Sequence, residues 1–511
     1  MQRLLKIFLL LLVFLLLIMA FFVYYSVDIL LSFFPLENPE AVVFTMAHNT
    51  VGAQNIIFIL LEPCARKAVE NSLFALSLIG MISFAISLFY SKKKLLNLDL
   101  HKLLHVAFIP FVIGGLLFIV VVGGQAVYKI PIISYVKAYG FLVDVTPLHN
   151  PLYEKDYVYP DSVNIVFNEK KNLILIVLES MEYNFQNKEN GGNLPQNRIP
   201  EITSLMKKHT SFEPGGITVA GTGWTMGETV AKFCGLPLKM PLDGNSFGIK
   251  NYLKSAVCLT DVLRQNGYNV KLFQGTDAHF ASMVYFLRDH GVRTEDIFDL
   301  RFFKKRGMSV SDTTFFLSVK DDDLYEEVKI ELLKKRNRSE PWAVWFYTID
   351  THGAYGRLDS GCVDVPNNLK MENQYPYVLN CASKQLANFL EWAEKQKWYE
   401  NTTIAVMGDH PAMVARNVIG YSDEKMERYW LNFFVNSSVE KKIKNKRKFT
   451  SFDMFPTILE AMGVKIDGHA LGLGRSLFSD EPTLIEIYGR DSLNSLIGMK
   501  STVYDSFWKV K

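Results

Sequence analysis

Three long runs without a single acidic residue, all within the first 125 positions, constrain this chain more than any other feature of its sequence. Residues 4–26 carry one charge, Lys6, and residues 71–90 and 104–124 carry none. A membrane-spanning helix needs about 20 apolar residues, so each run reads as a transmembrane helix, and 1–125 reads as a membrane region. A secretory signal has an apolar core of only ~7–15 residues and a small-residue cleavage site. The first run is longer and no A-x-A site follows it, so it is read as an anchor that stays. The shorter run 49–61 (NTVGAQNIIFILL) is expected to be interfacial or part of an outer loop, not a fourth span.

Basic residues set the expected orientation. Arg3 and Lys6 precede the first run, and Lys92, Lys93, Lys94 and Lys102 lie between the second and third. Cytoplasmic loops collect Lys and Arg. Three spans that start inside finish outside, which puts a linker at 126–162 and a domain at 163–511 on the far face. The spans carry no charged path of the kind a transported solute requires. Across the whole chain 55 Lys+Arg against 52 Asp+Glu leave only +3, too little for the positive field of a nucleic-acid binder. At 49% hydrophobic residues the chain has the means to bury a core, which excludes disorder throughout.

From about 163 onward, short apolar runs alternate with amphipathic stretches. Candidate strands are 172–178 (NLILIVL), 269–274 (NVKLFQ), 342–348 (WAVWFYT), 402–408 (TTIAVMG) and 430–436 (WLNFFVN). Continuous apolarity is the mark of strands covered on both faces. In 380–398 the apolar positions Ala382, Leu386, Phe389, Leu390 and Ala393 share one helical face. Such alternation predicts an α/β domain with a mainly parallel central sheet covered by helices. The acidic and basic stretch 320–338 reads as a solvated helix whose charges need no further role. Four cysteines in this part, Cys234, Cys258, Cys362 and Cys381, allow three pairings. In an oxidising compartment the two local ones, Cys234 with Cys258 and Cys362 with Cys381, are expected, and no C-x-x-C spacing favours zinc.

Ligands of open α/β sheets gather beyond the carboxyl ends of the strands. There the sequence places Glu179 after the first strand, Asp409-His410 after the fourth and Asp350-Thr351-His352-Gly353 after the third. A glycine- and threonine-rich segment, 220–229 (AGTGWTMGET), precedes a helix, where a hydroxyl sits among N–H groups suited to phosphate. Carboxylates, imidazole and hydroxyl together form a donor set for one divalent cation with a nucleophilic oxygen beside it.

LILIVLES, GTGWTMGETVAKFCGLPL, FYTIDTHGAYG and MGDHPAM resemble, in that order, the signature segments of the membrane-anchored phosphoglycerol transferase and lipoteichoic acid synthase-like branch of the alkaline phosphatase/sulfatase superfamily. The resemblance extends over roughly 160–480. It implies that Glu179, Thr225, Asp409 and His410 hold one divalent metal ion, Mn2+ or Mg2+ ahead of Zn2+, and that Thr225 is also the nucleophile. It implies that His352 meets the phosphoglycerol or the departing alkoxide, with Trp224, Gln274, Asp277 and Arg357 as further substrate-binding candidates. Thr222 is the competing hydroxyl. The implied reaction moves phosphoglycerol from phosphatidylglycerol to a periplasmic glycan, through a covalent phosphothreonine, at a bacterial inner membrane. Transfer of phosphoethanolamine, or a non-catalytic ectodomain that binds lipid or glycan, are the rival readings. His410 is followed by Pro411-Ala412, unlike the Ser-Asp-His-Gly-Glu pattern of the phosphoethanolamine transferases. Nothing around Thr225 matches the C/S-x-P-x-R context that sulfatases use for formylglycine.

Overall fold

The computed structural model describes residues 2–33, 56–91, 100–129, 150–239, 251–312, 316–334, 340–353, 355–359, 361–362, 365–412, 419–421, 426–440 and 446–509. The chain forms two compact units. In the first, α1 (Gln2–Phe33), α2 (Ile56–Ser91) and α3 (Leu100–Lys129) pack together. Each contains a stretch long and apolar enough to cross a membrane, Ile7–Val27, Cys64–Ser87 and Ala107–Tyr128, which makes this a membrane protein. Large side chains such as Phe8, Leu15, Phe74 and Val120 point outward. Cys64, Ala68, Ser72, Ala75 and Ile79 form a buried stripe at helical spacing on α2. Small residues let helix backbones approach where lipid offers no hydrophobic drive between them. Asn71 donates to the Tyr25 hydroxyl at 2.8 Å, joining α2 to α1. Residues 56–61, expected to be interfacial or part of an outer loop, form the start of α2, ahead of its apolar stretch Cys64–Ser87. Positions 49–55 and Lys92–Lys94, used for topology above, lie outside the described residues.

The second unit is built on a six-stranded sheet. Its strands are β1 (Asn172–Leu178), β2 (Asn269–Gln274), β3 (Ile297–Phe298), β4 (Trp342–Tyr347), β5 (Thr402–Gly408) and β6 (Asn432–Val435). They lie in the order β6-β5-β1-β4-β2-β3, all parallel except β6 at the edge. The architecture is α/β, mixed but mainly parallel. Ile174, Ile176, Val344, Phe346, Ile404 and Val406 cluster on one face with Leu379, Leu386 and Phe389 of the helix Tyr375–Glu394. On the other face Trp345 meets Phe233 with ring centroids 4.6 Å apart. Both faces are dry, which is why these strands read as unbroken apolar runs. The run 430–436 is interrupted in the fold: Tyr429–Trp430 pairs with Gly216–Ile217, and only Asn432–Val435 joins the main sheet.

Two expectations are corrected. Residues 150–162, assigned to a linker, are packed into this unit: Leu152, Tyr153 and Tyr157 are buried, and Val158 bridges to Gly472. Aromatic side chains drive this, with the Tyr153 and Tyr504 rings 5.3 Å apart. Positions 130–149 of that linker lie outside the described residues. The stretch 320–338 is not simply a solvated helix. Within its helical part, Asp321–Leu333, the residues Asp321, Leu324, Val328 and Leu332 are buried. Cys234 is bonded to Cys258, and Cys362 to Cys381.

Candidate functional site

Parallel register places the site. Leu178 pairs with Gly408 across β1 and β5, and Val177 and Gln274 both pair with Tyr347. The residues that leave these strands therefore emerge at one edge: Glu179-Ser180 from β1, Asp409-His410 from β5 and Thr348–His352 from β4. The turns are fastened to one another. Ser180, at φ 54°, donates its N–H to Asp409 Oδ1 at 2.7 Å and its hydroxyl to Glu179 Oε1 at 2.6 Å. Thr348 Oγ1 accepts from the Glu179 N–H at 2.9 Å, and the Thr351 hydroxyl donates to the Glu179 carbonyl at 2.5 Å.

Thr225 arrives from a different direction, as the first residue of the helix Thr225–Cys234. The first turn of a helix leaves N–H groups without intrahelical acceptors and carries a partial positive charge, so the hydroxyl stands where an anionic phosphate is favoured. Its Oγ1 is 3.1 Å from Asp409 Oδ2 and 3.4 Å from His410 Nε2. Gly227 permits this placement: a Cβ there would lie 2.7 Å from the Gly221 carbonyl and 3.2 Å from the Trp224 ring. The rival hydroxyl, Thr222, is fully buried in its own turn, accepting from Val219 N–H at 3.0 Å and donating to the Val219 carbonyl at 2.9 Å. Trp224 is itself buried.

Glu179, Asp409 and His410 are all buried and offer donor atoms within 4.8 Å of one another. His410 Nδ1 lies 2.9 Å from the Pro411 carbonyl. A carbonyl only accepts, so Nδ1 donates there, and Nε2 is the ring nitrogen turned toward the carboxylates. Nε2 is 3.2 Å from Asp409 Oδ2 and 3.9 Å from Glu179 Oε1. Burial, and then the neighbouring Asp409 charge, push the Glu179 carboxyl well above its usual range. The buried cation Lys232 directs its donors to Glu228 and to two backbone carbonyls, not to the Glu179 or Asp409 carboxylates. Two buried carboxylates and an imidazole nitrogen gathered this closely are a donor set that a divalent cation fits.

His352 lies on the loop after β4, its ring edge-on to Phe316 at 4.7 Å. Burial, helped by nearby His410, lowers its imidazole to about 4, so it is neutral at pH 7. Arg357 serves the same loop from within. Its guanidinium pairs with Asp350, 2.8 Å from Nε to Oδ1, and donates to the Val319 carbonyl at 2.6 Å and the Ser311 hydroxyl at 2.5 Å. Asp321 accepts from the N–H groups of Ile349 and Asp350 at 2.8 and 2.9 Å. Expected as a substrate contact, Arg357 has its donors committed to the protein. Gln274 is buried, with weak 3.4 Å contacts to Thr276. Asp277 accepts from the His279 N–H at 2.9 Å, beside an Arg301–Asp299 ion pair at 2.9 Å.

Several residues of this assembly were given no role from the sequence. Ser180, Thr348 and Thr351 adjoin the selected positions, and Lys232 follows Thr225 by seven residues, two helical turns on the same face. That spacing was the available signal.

A family model described as Sulfatase matches residues 171–464. The chain belongs to the sulfatase family. Its sulfatase-family domain is similar to the protein named phosphoglycerol transferase I from Escherichia fergusonii, 26% identical over 334 residues, covering 65% of this chain and 42% of that protein. The namesake from Escherichia coli is 26% identical over 343 residues, with the same coverages. The match thus spans about two fifths of the length of these relatives. Among solved structures, the lipooligosaccharide phosphoethanolamine transferase EptA of Neisseria meningitidis has a TM-score of 0.49 at 13% identity, covering 88% of this chain and 84% of its own. The lipoteichoic acid synthase LtaP of Listeria monocytogenes has a TM-score of 0.48 at 17% identity, covering 62% and 79%.

Proposed function

We propose that this membrane protein transfers phosphoglycerol from phosphatidylglycerol to a periplasmic glycan through a covalent intermediate on Thr225, releasing diacylglycerol. The observation that carries the reading is the Thr225 hydroxyl at a helix N-terminus, 3.1 Å from Asp409 Oδ2 and 3.4 Å from His410 Nε2. The relatives named phosphoglycerol transferase I support the choice of group transferred. In this reading residues 1–125 anchor the chain in a bacterial inner membrane, and the second unit, which includes residues 150–162, works in the periplasm, where a two-tailed donor stays within reach.

Glu179, Asp409, His410 and Thr225 would hold one divalent cation, with Mn2+ or Mg2+ ahead of Zn2+. Such an ion supplies charge neutralisation for the carboxylates, a lowered pKa for the hydroxyl and stabilisation of phosphoryl oxygens. In the first step the Thr225 Oγ1–P bond forms and the bond from phosphorus to the diacylglycerol oxygen breaks, the proton given up by the Thr225 hydroxyl ending on that oxygen. The helix N–H groups face the charge that builds on the phosphoryl oxygens. In the second step an acceptor hydroxyl attacks phosphorus and Thr225 leaves. His352, neutral at pH 7, takes the acceptor proton and passes it to the departing Thr225 oxygen, which recovers its hydroxyl.

Full-length protein with Mn2+, given labelled phosphatidylglycerol or phosphatidylethanolamine separately, tests the donor. Diacylglycerol is expected from phosphatidylglycerol. Release from phosphatidylethanolamine alone overturns the reading.

A further inference from the structure

Lys232 carries a charge in a place where charge is expensive. It is 1% exposed, and an ammonium has three N–H groups to satisfy. All three find acceptors: Glu228 Oε2 at 2.8 Å, the Gly408 carbonyl at 2.9 Å and the Asp409 carbonyl at 2.7 Å. The Trp430 ring covers it at 4.4 Å. A buried ion pair seldom adds net stability over apolar side chains of similar volume, so fold stability alone is a poor reason for it.

The acceptors indicate what the charge does. Gly408 and Asp409 form the end of β5, and the Asp409 carbonyl belongs to the peptide that leads into His410. Lys232 sits on the helix Thr225–Cys234, two turns beyond Thr225 on the same face. Other bonds tie this helix to β4, through Thr229, which donates to the Thr225 carbonyl at 2.7 Å and meets the Tyr347 hydroxyl at 3.0 Å. The ammonium ties it to the β5 turn, which carries Asp409 and His410.

We propose that Lys232 is a positioning residue: its ammonium fastens the Thr225 helix to the Gly408–Asp409 backbone, and so fixes Thr225 Oγ1 against Asp409 Oδ2 and His410 Nε2. The inference rests on Thr225 being the nucleophile of the proposed function. Contacts of 3.1 and 3.4 Å leave little slack, and displacement by 1 Å at a reacting atom costs on the order of 10²-fold in rate.

Full-length Lys232→Met and Lys232→Arg are compared with wild type for the quenched-flow rate of Thr225 adduct formation, KM for phosphatidylglycerol, thermal midpoint, and affinity for Mn2+ alone by calorimetry. In folded Lys232→Met the adduct rate should fall about 100-fold with KM within about twofold, since uniform binding is untouched. Mn2+ affinity should weaken about 10-fold, as when a group that orients metal ligands is lost. Lys232→Arg keeps the charge, but its planar fork does not match three pyramidal acceptors, so it should fold and still react slowly; it carries the test if Lys232→Met does not fold. Ethylammonium should partly restore Lys232→Ala, and tetramethylammonium, which has no N–H, should not. A folded variant that forms the adduct at the wild-type rate overturns the proposal. If wild type forms no Thr225 adduct, the proposed function is what fails, and the Mn2+ titration then decides the clamp alone: unchanged affinity in folded Lys232→Met overturns it.

Discussion

Thr225 Oγ1 lies 3.1 Å from Asp409 Oδ2, across 184 residues of sequence. A helix N-terminus on one side and the carboxyl end of a parallel strand on the other meet at that contact, and the proposed chemistry depends on both. Thr225→Ala should reduce phosphoglycerol transfer by at least about 10³-fold, the scale of losing a nucleophile. Its thermal midpoint should stay near wild type, because the hydroxyl faces the site and not the core. Steady-state transfer and a melting curve on the same preparation check both halves.

Glu179 should change sign with metal. Its carboxyl is raised in the fold by burial and Asp409, so the cation-free native state binds this proton more readily than the unfolded chain, whose glutamates titrate near 4.3. The group therefore costs stability increasingly as pH rises above about 4.3, and the cost is complete above its folded pKa. With EDTA at pH 7, Glu179→Gln should melt at or above wild type. With Mn2+ at 100-fold over Kd, wild type should gain about 2.7 kcal/mol and the order should reverse. Melting curves in both buffers read the crossing.

The pH dependence of transfer should follow His352. An ordinary histidine would impose an acid limb near 6.5; with the imidazole lowered to about 4, protonation removes the proton acceptor only below that value. The kcat profile should therefore lack a limb at 6.5. A wild-type limb there that disappears in His352→Ala would refute the assignment.

Arg357→Ala should cost about 3–5 kcal/mol of stability, as when one partner of a buried ion pair is removed. It leaves Asp350 without its guanidinium, and Arg357 and Asp350 are 9% and 4% exposed. Arg357→Lys should recover little, since a point charge cannot reproduce the forked contacts. Thermal denaturation of the full-length variants measures this. A stable Arg357→Ala with a raised KM for lipid would return the residue to the substrate side.

How much was legible follows from where each residue's environment is encoded. β1 and β5 were readable at residues 172–178 and 402–408 because strands covered on both faces are mostly apolar, with polar residues only at their starts. Glu179, Asp409 and His410 were readable because they follow such strands at once. Asp321 was not: in an acidic stretch it looks solvated, and only the fold brings the backbone of Ile349 and Asp350 onto it. Arg357 looked like a substrate contact for the same reason, since its partner Asp350 is close in sequence but their burial is tertiary. Residues 150–162 resembled a linker until Tyr153 and Tyr157 met Tyr504 and Phe507.

Peptide mapping by mass spectrometry after acid quench of full-length protein with phosphatidylglycerol and Mn2+ tests the covalent step most directly. Phosphoglycerol should be found on the peptide containing Thr225, and be missing from Thr225→Ala. Diacylglycerol release with no adduct on Thr225, or an adduct on another residue, would contradict it.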